Sequence, residues 1–134
     1  MEYTTKSGTL LRHTLNKPFL WSLILPLLII DIFAIFYNQT GFRICGIPRV
    51  KRSNYVRIDR HKLRYLTPYQ KLQCVYCGYA NGVLMFCSEL GVRLERYWCG
   101  IQHERVEGFI APPHHAEFLE FGDERAFQSR FGRR

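Results

Sequence analysis

The chain has no Gly-rich phosphate loop, no dinucleotide fingerprint and no internal repeat, which removes nucleotide-dependent and repeat architectures from consideration. Acidic residues are scarce, with 11 Asp+Glu against 19 Lys+Arg and a net charge of +8. Gly78, not histidine, follows Cys77, so the CxxC pair is not a c-type haem attachment site. No strand-then-helix pattern precedes Cys74, which argues against a thioredoxin-like dithiol. The apolar run near the N-terminus lacks a following small-x-small site, and no small residue stands before Cys45. A cleaved signal is therefore disfavoured relative to a retained anchor.

That apolar run dominates what is present. From Pro18 to Tyr37 (PFLWSLILPLLIIDIFAIFY) the single charge is Asp31. About 20 apolar residues at a rise of 1.5 Å match a hydrocarbon core of roughly 30 Å, so residues 18–38 read as a transmembrane helix. Pro26 removes a backbone donor and is expected to kink it. Asp31 would cost about 2.5–3.5 kcal/mol on insertion scales. It is read either as lying near an interface of a tilted helix or, with Trp21, as a contact to a second transmembrane helix.

Residues 39–72 form a basic juxtamembrane segment. Between Arg49 and Arg64 stand Arg49, Lys51, Arg52, Arg57, Arg60, Lys62 and Arg64, opposed by Asp59 alone. Such a cluster is attracted to anionic lipid headgroups at about 1 kcal/mol per residue, and partner binding is the related reading. A nucleic-acid surface would attract it too, but a tethered chain meets lipid first. Near the membrane edges Lys6, Arg12 and Lys17 on the N-terminal side face Arg43, Arg49, Lys51, Arg52 and Arg57 on the other. The positive-inside rule then predicts a single-pass protein of a bacterial inner membrane with its C-terminal domain in the cytoplasm.

Residues 73–111 carry the chemistry-bearing side chains. Cys74 and Cys77 are spaced C-x2-C, and Cys99 and His103 C-x3-H. Two close pairs of Cys and His ligands match the tetrahedral preference of zinc, and a closed set of four protein ligands would be structural. The alternative is a thiol-redox or metal-handling use of the CxxC pair. Against the four-ligand site stands the helical spacing of Val83, Phe86, Cys87, Leu90, Leu94 and Tyr97. An unbroken helix from 81 to 98 advances about 25 Å and would keep Cys77 and Cys99 from sharing an ion. A break at Gly91 would relieve this. Cys87 falls on the apolar stripe and reads as a small buried hydrophobe, and Cys45 as structural.

Thr67-Pro68 is expected to open a short helix to Leu72. In residues 112–134 the Pro112-Pro113 pair interrupts regular structure, and His114-His115 reads as a solvent-exposed loop pair with metal ligation as the alternative. Asp123 is a suitable N-cap for a helix over 124–131. The phenylalanines of this tail, including Phe118, Phe121, Phe127 and Phe131, would dock it on the domain. No recognisable motif places a catalytic residue.

The stretch KLQCVYCGYANG from Lys71 to Gly82, with YWCGIQH from Tyr97 to His103 and the distal Phe121-Gly122-Asp123, resembles a group of small, uncharacterised bacterial membrane proteins. The resemblance covers roughly residues 60–123. It departs at Gly100, where the group carries proline, and it implies a membrane address without an activity. The combined expectation is a mainly α protein: residues 1–17 as an N-terminal segment, one transmembrane helix, and a small helical cytoplasmic domain stabilised by zinc. Such a chain would serve as an accessory or assembly subunit alongside another membrane protein.

Overall fold

The computed structural model describes residues 9–132, with side chains from residue 14 onward. Lys6 and the side chain of Arg12, both counted for orientation above, lie outside the described residues. The protein is mainly helical, with no strand among the described residues. Helix α1 covers Thr9–Ser22, α2 Ile24–Ile44, α3 Pro68–Trp98 and α4 Glu124–Phe131. The residues up to Cys87 form one compact unit and those from Ser88 a second.

The apolar run forms one helical stretch, Thr14–Ile44, long and apolar enough to cross a membrane. It is interrupted at Leu23, between α1 and α2. Pro26 accounts for the interruption, because its missing N–H leaves the carbonyl of Ser22 without its usual acceptor role and its ring crowds that turn. On α2 the residues Leu27, Asp31, Asn38 and Phe42 form a buried stripe at helical spacing. Leu25, Leu28, Ile29, Ile32, Phe33 and Phe36 remain exposed.

The stripe is covered by the chain's own return. After α2, Gly46 adopts φ +67 and reverses the backbone. Val50 then bonds the Asn38 side chain twice, its N–H donating to Oδ1 and its carbonyl accepting from Nδ2, each at 2.9 Å. Two residues on, Arg52 reaches Asp31, seven positions earlier in α2 than Asn38. The returning segment continues onto α3. Tyr55 packs on Phe86 with ring centroids 6.4 Å apart. A Cβ at Gly82 would lie 2.7 Å from the Val56 Cα, and one at Gly78 3.1 Å from the Arg57 carbonyl oxygen. These two glycines give the segment its seat.

Two expectations about α3 are corrected. The helix opened at Thr67-Pro68 does not end at Leu72: α3 is continuous from Pro68 to Trp98. Gly78 and Gly82 serve as a backbone-contact surface within it, and Gly91 does not break it. The helix does begin at Thr67-Pro68 as expected, with a reciprocal cap in which the Gln70 N–H donates to Thr67 Oγ1 and the Thr67 N–H to Gln70 Oε1. Val83, Phe86 and Leu90 of the expected stripe are buried, while Tyr97 is exposed. The short helix α4 starts on Asp123, whose side chain accepts from the Ala126 N–H at 2.9 Å.

Candidate metal centre

In the second unit, Glu95 stands in the last turn of α3. Beyond Trp98, Gly100 adopts φ +76 and turns the chain. The segment that follows is pinned against the tail by paired backbone bonds, Leu119 N–H to the Gly100 carbonyl and Gln102 N–H to the Leu119 carbonyl. This fixes the backbone just before His103. Pro112 and Pro113 then open a 3-10 turn over Pro113–Glu117, because proline pre-sets the φ of a first helical position. The turn presents His114 and His115 to Glu95.

The resulting contacts are close. His114 Nε2 lies 2.7 Å from one oxygen of Glu95, and His115 Nε2 lies 3.0 Å from the other. One ligand atom each from Glu95, His103 and His115 falls within 4.8 Å of the other two, so the three could hold a metal ion. His115 is 3 % exposed, and its Nδ1 is buried without a hydrogen-bond partner. A buried imidazole with one nitrogen unpaired carries a desolvation cost of about 1–3 kcal/mol. Phe118 stacks on His115, and Phe109 meets His103 edge-on at 5.5 Å. These rings fix the imidazole planes. His114 would then orient Glu95 from outside the coordination shell, the role carboxylate–imidazole pairs commonly play around metals. Its hydrogen bond is the main reason the Glu95 carboxyl is held below the usual carboxylate range, with the charge of His115 adding to it.

The residues expected from the sequence are distributed differently. Cys74 and Cys77 lie in the first unit, and Cys99 and His103 in the second. The unbroken course of α3 past Gly91 is the condition under which Cys77 and Cys99 do not share an ion within one chain. All five cysteines are free. His103 is the one expected ligand that joins a candidate site, and its companions are Glu95 and His115 in place of the three cysteines. His114 and His115 are not a solvent-exposed pair; the carboxylate and the Phe118 ring enclose them. Cys87 is half-buried, and burial pushes its thiol up, in keeping with a structural role.

Asp31 and Trp21 are engaged within the chain. Arg52 grips Asp31 through Nε to Oδ1 at 2.9 Å and a second nitrogen to Oδ2 at 2.6 Å, and the Tyr79 hydroxyl donates to Oδ2 at 2.9 Å. Trp21 packs on Tyr76, ring centroids 5.2 Å apart, and the Tyr76 hydroxyl donates to the Leu20 carbonyl. Arg52 is therefore committed inward, and Arg49 donates to Gln39. Lys51, Arg57, Arg60, Lys62 and Arg64 remain exposed.

Comparison with protein-family models, with curated proteins and with solved structures found no match.

Proposed function

We propose that this chain is a membrane-anchored accessory or assembly subunit of a larger membrane complex, holding zinc at Glu95, His103 and His115. The observation that carries the metal half is the convergence of those three ligand atoms within 4.8 Å around a buried imidazole. Zinc suits two imidazoles and one carboxylate. The membrane half is supported by α2, whose bare apolar face would meet lipid or a partner helix while its one carboxylate is neutralised within the chain. An unpaired charge there would oppose insertion. The exposed cations Lys51, Arg57, Arg60, Lys62 and Arg64 suit anionic headgroups, and the count of cations on the two flanks of the apolar run favours a bacterial inner membrane with the C-terminal unit in the cytoplasm.

The experiment is purification of the full chain from membranes. Retention in the pellet after alkaline carbonate extraction, together with about one zinc per chain, supports the reading. Release into the supernatant, or a folded protein that takes up no divalent metal, overturns the corresponding half.

A second reading has one specific observation in its favour. The unbroken α3 leaves Cys74 and Cys77 a turn apart with free thiols. Under this reading they act as a metal-handling or redox pair. Reversible labelling of Cys77 that exchanges metal or electrons with a partner protein would select it.

A further inference from the structure

The candidate ligands are not evenly surrounded. His103 and His115 both line a cleft of ≈ 420 Å³, whereas Glu95 does not. An ion held by the three would have its carboxylate behind it, on α3, and the cleft in front. Three protein donors leave at least one position of a four- or five-coordinate zinc for an outside ligand.

The lining of the cleft defines the chemistry of that ligand. Its charged side chain is Arg105, with Val106 and Phe109 adding apolar wall, and no carboxylate lines it. Arg105 is exposed and makes no hydrogen bond or ion pair among the described residues. His103 and Arg105 also border a second cleft, of ≈ 310 Å³, where Glu120 stands. That carboxylate makes the first cleft the favourable side for an anion. One Glu carboxylate and two neutral imidazoles leave a divalent ion with a net positive charge, and a free guanidinium beside it adds to the field. A guanidinium also offers a planar fork of donors that fits carboxylate or phosphate oxygens.

We propose that the metal-loaded centre takes an anionic oxygen ligand, a carboxylate or a phosphate, from the first cleft, with Arg105 as its second anchor. This rests on the metal reading above. It goes beyond a structural ion because it assigns the open face, the class of ligand and the residue that selects it.

The test uses the full chain in detergent, loaded with cobalt(II) as a coloured substitute for zinc and titrated separately with sodium acetate and inorganic phosphate. The expected result is a saturable change in the visible cobalt spectrum with both anions, tighter for phosphate, whose extra oxygens reach ion and guanidinium together. Arg105→Ala is expected to weaken phosphate binding about tenfold, the loss typical of one hydrogen-bonded charged contact, while cobalt affinity stays within about twofold. A cobalt spectrum indifferent to both anions overturns this inference and leaves the metal centre standing. An anion response unchanged in Arg105→Ala overturns the role of Arg105. A folded chain that binds no cobalt overturns the centre and the inference together.

Discussion

Each of the two compact units encloses a helix-borne carboxylate, and the partners differ in one decisive respect. Asp31 on α2 is held by a guanidinium and a phenol. Glu95 on α3 is held by two imidazoles, with a third nearby. A guanidinium has donors and no usable lone pair, and its fixed positive charge on Asp31 repels a cation, so the Asp31 cluster is closed to one although the Tyr79 oxygen keeps its lone pairs. Neutral imidazole carries a lone pair on one ring nitrogen, so the Glu95 cluster can exchange its internal hydrogen bonds for bonds to a metal. The first arrangement is closed and serves the fold. The second is convertible.

The largest effect expected from breaking this comparison is on the closed side. Arg52→Ala removes the counter-charge of the buried Asp31 carboxylate and should lower unfolding stability by about 3 kcal/mol, the low end for breaking a buried pair, because Arg52 is partly exposed and Tyr79 still bonds Asp31. The double change Asp31→Leu with Arg52→Met should recover most of that loss. Thermal or chemical unfolding in detergent measures both, and a single variant as stable as the parent would show that the pair is dispensable.

On the convertible side, chelation should lower the stability of the metal-loaded parent by about 2.7 kcal/mol where free metal had stood at 100 times its dissociation constant. His115→Ala should abolish this response, and Cys99→Ser should leave it intact. If the serine variant loses the response and the alanine variant keeps it, the cysteine ligand set was the correct one.

A comparison of two glycines on α3 sharpens the account of the first unit. Gly82→Ala places a methyl 2.7 Å from the Val56 Cα and should cost about 1–3 kcal/mol through forced separation of the backbones. Gly91 has nothing within 4 Å of its would-be Cβ, so Gly91→Ala should raise stability by up to about 1 kcal/mol through helix propensity. Equal effects at the two positions would contradict the seating of the return segment on Gly78 and Gly82.

The smallest effect concerns acid. In the metal-free protein the Glu95 carboxyl titrates below its unfolded value because of His114. A depressed carboxyl contributes stability above the unfolded pKa of about 4.3 and loses it as the pH falls through the lower folded value. His114→Ala should flatten the fall in urea midpoint over that range. An unchanged slope would show that His114 does not hold the carboxylate.

Local signals in the sequence were sufficient for several elements. The apolar run foretold α2, Pro26 its interruption, Thr67-Pro68 the start of α3 and Asp123 the start of α4. The C-x2-C spacing singled out Cys74 and Cys77, but nothing local showed that the Gly78 beside them seats a segment about twenty residues earlier in the chain. That pairing has no local signature. Glu95 was missed for the same reason. Its partnership with His103 and His115 depends on the Gly100 turn, on the backbone pairing of Ile101 with Leu119 and on the turn that Pro112 and Pro113 open. The diproline ahead of two histidines was the one legible hint, since it fixes the direction of a pair that a flexible loop would leave free.

The most direct test of the central claim is X-ray absorption at the zinc edge of the full chain, reconstituted with one equivalent of zinc. The account predicts a first shell of nitrogen and oxygen at about 2.0–2.2 Å with imidazole outer-shell scattering. A first shell dominated by sulfur at about 2.3 Å would contradict it and return the ion to the cysteines.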